Sequence, residues 1–193
     1  MDKKKQIINA AIQVFAKQGL TKGKIADIAI QAGIGKGTIY EYFKSKDEIF
    51  QAIENIFISD TLDYVKKIES SNDSSTKKIE KICNSSLDLH SQMDDSMLII
   101  AELWAQNTRG QLHGHDSTLF VGMYNDYFDI VSEILKAGAR QKEFRKMNVK
   151  GVATALLAML DGIIWQSLIF KNDKEFSRRK TAAIKAFMNG III

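Results

Sequence analysis

The sequence predicts an all-helical protein, and three observations support this fold class. Proline is absent from the 193 residues and glycine occurs 12 times, so few positions interrupt a helix. No long alternation of apolar and polar residues, which is typical of strands, lies between turn pairs. Apolar residues instead recur three and four positions apart along most of the chain. We therefore expect an N-terminal three-helix unit of the helix-turn-helix type, followed by a larger helical domain.

The first helix is predicted at about residues 3–18. Gly19 follows it as a stop signal. The lysines at residues 3–5 either contact phosphate or lie on a solvated terminus, and the sequence leaves both interpretations open. The apolar stripe of this helix, which we expect to pack across the next two helices, consists of Ile8, Ala11, Ile12 and Phe15.

A helix, a tight turn and a second helix are predicted in residues 24–46. Gly33 interrupts the apolar periodicity and is the candidate for a left-handed turn residue, because glycine has no Cβ. Ile39 and Phe43 stand four positions apart on the second helix and can pack back on the first. The apolar face of the first helix consists of Ile25, Ile28 and Ala29. This arrangement is the helix-turn-helix pattern.

The exposed side of the second helix carries groups that can contact DNA. Lys36, Thr38 and Tyr40 offer cations and hydroxyls to phosphates and base edges, and Gly37 allows the backbone to approach a duplex. The charge distribution agrees: residues 1–48 hold nine Lys against five Asp or Glu, whereas the rest of the chain holds 18 basic and 18 acidic residues. The net charge of +4 therefore lies around this motif, which favours an anionic partner. The alternative is that this is an ordinary amphipathic helix whose polar side only faces solvent.

The stretch IADIAIQAGIGKGTIYEYFKSKDEIF resembles the DNA-binding signature of the TetR/AcrR family of bacterial transcriptional regulators. The shared features are an Ile-Ala pair, Ala-Gly-apolar at the turn, Lys-Gly-Thr at the start of the second helix, and a Tyr, Phe, Lys-Ser-Lys-acid run. All of them lie between Ile28 and Glu48. The chain departs from the family at Gly35, where the family often has Ser or Thr as the helix cap. Glycine supplies no side-chain acceptor for a cap hydrogen bond.

The resemblance implies a homodimer that binds double-stranded DNA at a palindromic operator, with a recognition helix in each of two successive major grooves. It implies a DNA-binding domain at residues 1–46 and a ligand-binding and dimerisation domain at residues 47–193. A small apolar or amphipathic effector would release such a repressor from DNA, and Lys46 would be the family's phosphate anchor. The alternative is a non-specific architectural DNA-binding protein, which would not need a neutral, aromatic-rich second domain. We expect the DNA contacts at Thr21, Lys22, Lys24, Gly35, Lys36, Gly37, Thr38, Tyr40, Tyr42 and Lys46.

Helices are predicted through the rest of the chain as well. Ser45 and Glu48 form a capping box that opens a long helix at about residues 46–69, and a polar loop follows over residues 69–76. The tail, residues 190–193, is either frayed or docked. Further helices are expected at about residues 77–91, 97–107, 117–141, 147–169 and 175–189.

The last two helices have apolar surfaces too wide for one small domain to bury alone. Pairing with a second copy as a four-helix bundle would bury them, and Ala155, Ala158 and Gly162 would permit a close approach. We expect dimer contacts at Leu156, Leu160, Ile163, Ile164, Ala183, Ile184 and Phe187.

An effector pocket is expected between helices of the second domain, because methionine and aromatic side chains suit an adaptable wall. The same residues also fit an ordinary core, and the sequence leaves that choice open. The candidates for the wall are Met93, Met97, Trp104, Met123, Tyr127, Phe128 and Trp165. Polar contacts could come from Glu102, Gln106, Asn107, Arg109, Asn125 and Asp161.

Other features point to a cytoplasmic protein without catalytic, metal or cofactor sites. Cys83 is the single cysteine, so no intramolecular disulfide can form, and its helical neighbours include no cation that would favour a thiolate. The N-terminus lacks the pattern of a secretion signal. We interpret residues 152–170, the most apolar stretch, as a buried or interface helix rather than a membrane span. Residues 113–116, His-Gly-His-Asp, are interpreted as a solvated loop without a fourth metal ligand, and His90 as a core histidine.

Overall fold

A computed structural model describes residues 2–92, 94–112, 118–170 and 173–193. In these ranges the regular structure is helical, apart from one isolated antiparallel bridge between Phe144 and Ile192, which confirms the all-helical prediction. The helices are α1 (Lys3–Lys22), α2 (Ile25–Ala32), α3 (Lys36–Tyr42), α4 (Lys46–Glu69), α5 (Ser75–Gln92), α6 (Asp94–Leu112), α7 (Thr118–Arg140), α8 (Val149–Ile169) and α9 (Lys174–Ile191).

The chain divides into two compact units. The first consists of Met1–Asp60 and Met93–Phe120, and the second of Thr61–Gln92 and Val121–Ile193. The first unit is therefore larger than the expected DNA-binding domain of residues 1–46. It also includes α6, because Ile99 and Leu103 are buried in the same apolar core as the N-terminal helices.

The core of the first unit holds α1, α2, α3 and the start of α4 together. The ring of Phe15 on α1 meets that of Phe50 on α4 edge to face, with 6.2 Å between centroids. Gly19 has non-helical torsion angles inside α1, so the expected stop is a kink, after which one more helical turn follows. Fully buried positions of this core include Ile7, Ala11, Ile28, Ile39 and Ile49.

Gly33 makes the turn of the helix-turn-helix motif, as predicted. Its φ of 63° is left-handed, where a side chain is disfavoured. The N–H groups of Gly33 and Ile34 then donate back to the carbonyls of Ile30 and Ala29 at 3.1 Å, which closes α2. Half of the predicted capping box of α4 is present, since the N–H of Glu48 donates to Ser45 Oγ at 3.1 Å. The Glu48 carboxylate accepts from the N–H of Lys44, at 2.6 Å, rather than from that of Ser45.

The core of the second unit is built from α5, α7, α8, α9 and the end of α4. Four of the residues expected at a dimer interface, Leu156, Leu160, Ile163 and Ile184, are at most 8% exposed and belong to this core. Their apolar surface is covered within the monomer, because α8 packs against α5 and α9. Of the same set, Ala183 is exposed, while Ile164 and Phe187 are half-buried.

The turn before α8 joins three parts of the second unit. The carboxylate of Glu143 accepts hydrogen bonds from the N–H groups of Ser75 (3.0 Å) and Thr76 (2.8 Å), which caps the start of α5. Burial acts to raise the pKa of Glu143, but these donors outweigh it and the pKa is lowered. Phe144 is 2% exposed and packs on Gly138.

The C-terminal tail is docked on this turn, which answers a question the sequence left open. The N–H of Arg145 donates to the carbonyl of Ile191 at 2.8 Å, and the N–H of Ile193 donates to the carbonyl of Glu143 at 3.2 Å. The Arg145 Nε also donates to the carbonyl of Ile192 at 2.8 Å. The tail therefore closes the second unit as a short antiparallel pairing.

Among the described residues, α8 is long and apolar enough to cross a membrane by length and composition alone. A core helix of a folded domain passes the same test. One side of α8 is indeed buried in the second unit, including Ala153, Leu157 and Ser167. This arrangement agrees with a buried or interface helix.

Candidate functional site

Helix α3 is anchored at two apolar positions and presents its other side to solvent. Ile39 is fully buried and Phe43, which follows the helix, is 2% exposed. In contrast, Tyr40 is 49% and Tyr42 42% exposed, which is high for large aromatic side chains. The remaining predicted contact residues of α3 are the exposed Lys36 and Gly37 and the half-buried Thr38.

The start of α3 has no side-chain cap. Gly35 precedes the helix with extended torsion angles and makes no side-chain cap, as expected for glycine. Its carbonyl accepts from the N–H of Thr38 at 3.0 Å. A methyl group placed on Gly37 would meet nothing within 4 Å in the free protein. The N-terminal turn is thus open to an approaching anion.

The segment between α1 and α2 carries the other expected cations. Thr21, Lys22 and Lys24 are all exposed. Thr21, which also has the hydroxyl of a helix cap, lies in the last turn of α1 and does not cap α2. Lys24 holds the cap position instead, and its N–H donates to the carboxylate of Asp27 at 3.3 Å.

Lys46 fixes this segment from the start of α4. Its Nζ donates to the carbonyl of Leu20 at 2.7 Å and to the carbonyl of Thr21 at 3.2 Å. These are carbonyls at the end of α1, where a cation is favoured by the helix dipole. The ammonium group therefore positions the loop that carries Lys22 and Lys24, in addition to any contact of its own with phosphate.

The expected cations of α3, α4 and the loop after α1 meet in one open groove of about 790 Å³. Four lysines and a single carboxylate line it, so the groove attracts anions. The Nζ of Lys36 lies 5.8 Å from the ring centroid of Tyr40, which holds the two side chains together at its edge. The lining consists of Gln18, Thr21, Lys22, Gly23, Lys24, Ile25, Ala26, Asp27, Lys36, Tyr40 and Lys46.

The groove includes residues that the sequence did not single out. Gly23 is one of them: a methyl group placed there would lie 2.8 Å from Phe15 Cδ1, so glycine lets the chain cross that ring. The apolar and small residues of its wall gave no chemical signal in the sequence. Four expected contact residues, Gly35, Gly37, Thr38 and Tyr42, do not line the groove.

The expected effector residues are divided between the two units. In the first unit, the rings of Trp104 and Phe120 meet edge to face at 6.1 Å. In the second, Met123 is buried, and Tyr127 and Phe128 are partly buried against the core. Trp165 is half-buried on α8. Met93 lies outside the described residues, and the side chain of Met97 does as well.

Most of the polar candidates are engaged within the first unit. Glu102 accepts from Gln106 Nε2 at 2.9 Å and from Arg109 at 3.2 Å. Asn107 donates to Glu54 at 2.9 Å. Asn125 is exposed on α7, in the second unit. The bond from Asn107 joins α6 to α4, whereas the contacts of Glu102 lie within α6. Asp161 is left as the polar candidate inside the second unit.

Asp161 is half-buried and hydrogen-bonded to a tyrosine. The hydroxyl of Tyr124 donates to Asp161 Oδ1 at 3.2 Å. Burial raises the pKa of Asp161 to about 6, although the Tyr124 hydroxyl works in the opposite direction. Burial, together with the charge of Asp161, also raises the pKa of Tyr124.

In the described part of the chain, no three His, Cys, Asp or Glu side chains are grouped as metal ligands. Burial, with a smaller effect of Glu80, raises the pKa of Cys83 to about 12, so this thiol is a poor nucleophile. Residues 113–116 and the side chain of His90 lie outside the described residues.

Comparison with known proteins supports the motif and the fold. Residues 7–53 match the family model described as bacterial regulatory proteins, tetR family. The HTH-type nicotine-responsive transcriptional repressor HdnoR of Paenarthrobacter nicotinovorans is 24% identical over 84% of this chain and 81% of its own length. The uncharacterized HTH-type transcriptional regulator YvdT of Bacillus subtilis (strain 168) is 42% identical over 33% of each chain.

Solved structures show the same fold over the whole chain. The transcriptional regulator FadR from Bacillus subtilis, in complex with stearoyl-CoA, has a TM-score of 0.74 at 20% identity and covers 97% of this chain and 98% of its own. A transcriptional regulator from Saccharomonospora viridis, in complex with choline, has a TM-score of 0.83 at 19% identity and covers 98% and 97%.

Proposed function

Since the chain belongs to the TetR family of bacterial transcriptional regulators, we propose that it is a repressor that binds a palindromic operator as a homodimer and is released by a small molecule. The observation that carries the DNA-binding part is the groove at α3, where Lys22, Lys24, Lys36 and Lys46 converge within the segment that matches the family. Exposed Tyr40 and the open start of α3 can reach base edges, while the lysines hold the phosphates.

The dimer follows from the geometry of operator reading. One α3 can contact only a few base pairs, whereas two copies about 34–36 Å apart read successive major grooves. The exposed side of α8 carries Ala155 and Ala158, and that of α9 carries Ala183 and Ala186. Small residues let helices of a second copy approach closely, with Phe187 half-buried beside them. This exposed side, rather than the buried Leu and Ile positions, is the surface available to a partner.

A substitution on this side tests the dimer. We expect Ala158→Arg to shift the protein to monomer in sedimentation velocity, because a long charged side chain would be buried between helices. The matched control is Asn84→Arg, on the exposed side of α5. A monomeric wild-type protein at micromolar concentration, or equal behaviour of the two variants, would contradict the proposal.

Release by an effector needs only a modest energetic difference. A hundredfold loss of DNA affinity corresponds to about 2.7 kcal/mol of differential effector binding between two conformations. Relatives of similar length support an effector, since one is named nicotine-responsive and two solved structures hold stearoyl-CoA and choline. We therefore place the effector in the second unit and assign the protein a cytoplasmic, non-enzymatic role.

Competition binding separates this function from that of an architectural DNA-binding protein. A specific repressor keeps its footprint on an operator in excess random DNA, whereas an architectural protein loses it. The charge distribution favours the repressor, because the residues after position 48 carry no net charge. Loss of the footprint under competition would support the architectural alternative.

A further inference from the structure

Side chains that become negatively charged when they lose a proton come together from four helices of the second unit. Asp161 on α8 is bonded to Tyr124 on α7 and interacts electrostatically with Tyr127 on the same helix. Tyr127 in turn interacts with Cys83 on α5 and with Tyr64 on α4. We call these five residues the Asp161 cluster. Cys83 is buried, Asp161, Tyr124 and Tyr127 are half-buried, and Tyr64 is 45% exposed.

The Asp161 cluster has no balancing positive charge among the described residues. Each of its members is neutral or negative in every protonation state. Two influences act on the ionisation of Asp161, namely burial and the Tyr124 hydroxyl, and neither comes from a lysine, arginine or histidine. A carboxylate withdrawn from water without a cation is costly, and side chains perturbed in this way cluster at functional sites.

Aromatic side chains complete the surroundings of this carboxylate. Trp165 follows Asp161 by four positions on α8 and therefore lies on the same side of that helix. Tyr127 and Phe128 are partly buried against the same core. A carboxylate beside aromatic rings binds ammonium groups well, because both the charge and the ring faces attract a cation.

We propose that the Asp161 cluster is the effector-recognition site and that it takes an organic cation, either a protonated amine or a quaternary ammonium, with apolar substituents. The assignment rests on the proposed ligand-released repressor. Asp161 pairs with the cationic nitrogen, and the aromatic residues contact its apolar substituents. A neutral effector would leave the half-buried carboxylate without a positive counter-charge, and an anionic one would be repelled.

The test compares ligands that differ in charge alone. Alkyl- and benzyltrimethylammonium ions are each paired with the neutral hydrocarbon in which carbon replaces nitrogen, and binding to the full-length protein is measured by calorimetry and by thermal shift. We expect each ammonium ion to bind at least about tenfold more tightly than its neutral isostere, or about 1.4 kcal/mol. No measurable binding of the ammonium ions, or equal binding of both partners, would overturn the inference.

Three variants locate the effect. Asp161→Asn keeps the size and an acceptor for the Tyr124 hydroxyl, so it should remain folded by circular dichroism and lose the preference for cations. Asp161→Glu should retain a preference. Asp129→Asn removes an equal charge from the exposed side of α7 and should behave as wild type. An unchanged preference in Asp161→Asn would show that the cation binds elsewhere.

The outcome can be separated from that of the proposed function. Ligand binding is measured without DNA, and operator binding is measured without ligand. Specific operator binding without a preference for cations would refute only the Asp161 assignment. Selective cation binding by a protein that recognises no operator would refute the repressor and leave the ligand chemistry in place.

Discussion

Two glycines on α7 should respond in opposite ways to the same substitution. A methyl group placed on Gly138 would overlap two ring carbons of Phe144 and lie 2.9 Å from Ser75 Cβ. The ring cannot move aside easily, since Phe144 is 2% exposed and its backbone pairs with Ile192. A methyl group on Gly122 of the same helix would meet nothing within 4 Å.

The magnitudes follow from this difference in space. Replacing a helical glycine by alanine stabilises by about 0.5–1 kcal/mol when nothing obstructs the methyl group, which is the expectation for Gly122→Ala. Overpacking a tight core costs about 1–3 kcal/mol, which outweighs that gain at Gly138. We therefore expect Gly138→Ala to lower the free energy of unfolding by about 1–2 kcal/mol.

Urea unfolding followed by far-ultraviolet circular dichroism, at one protein concentration for all variants, measures both changes. A double-mutant cycle with Phe144→Leu adds a check, because a smaller side chain should relieve part of the clash at Gly138. The two substitutions together should then cost less than the sum of their separate effects. Equal stabilisation by Gly138→Ala and Gly122→Ala would refute the packing described for this turn.

Three further predictions concern charge and polarity. Lys36→Ala should reduce the slope of log affinity against log salt by about 1 without loss of stability, whereas Lys46→Ala should also lower the free energy of unfolding by about 1–3 kcal/mol, because two carbonyls at the end of α1 lose their donor. Salt-dependent DNA titration and urea unfolding separate the two, and identical effects on both would contradict these roles. Because burial raises the pKa of Asp161 from 3.8 to about 6, its ionisation opposes folding. The stability from this group is fully present below pH 3.8 and is lost as the pH rises through 6. Asp161→Asn should therefore be more stable than wild type at pH 8, by roughly 1–2 kcal/mol after allowance for partial solvent exposure, with little difference at pH 4; a gap that does not depend on pH would contradict this. Ser132 Oγ is buried without a hydrogen-bond partner among the described residues, so Ser132→Ala should be neutral or stabilise by up to about 1 kcal/mol in urea unfolding, and a clear loss of stability would refute this.

Local signals in the sequence were enough to predict the helices and the DNA-reading motif. The turn at Gly33 and the Ser45 cap of α4 act over four or five residues, and the structure has both as expected. The boundary of α4 at Lys46 follows from the same cap. Features of this kind depend on backbone torsion angles and hydrogen bonds between near neighbours, which the order of residues largely determines.

Contacts between distant residues could not be read in the same way. Glu143 caps α5 from 67 and 68 positions away, and the tail docks on the same turn. Periodicity shows that a face is apolar, but not which surface covers it. For that reason Leu156 and Ile184 were expected at a dimer interface, whereas they lie in the core of their own unit. The Asp161 cluster likewise depends on four helices whose packing no local pattern encodes.

The central claim is that paired α3 helices read one particular DNA sequence. Selection from random duplex oligonucleotides with the purified, ligand-free protein tests it most directly. We predict enrichment of an inverted repeat whose half-sites lie about 10 base pairs apart, centre to centre, or a multiple of that distance. Lys36→Ala should weaken the recovery of this repeat. A pool that stays random after repeated rounds with wild-type protein would contradict the account.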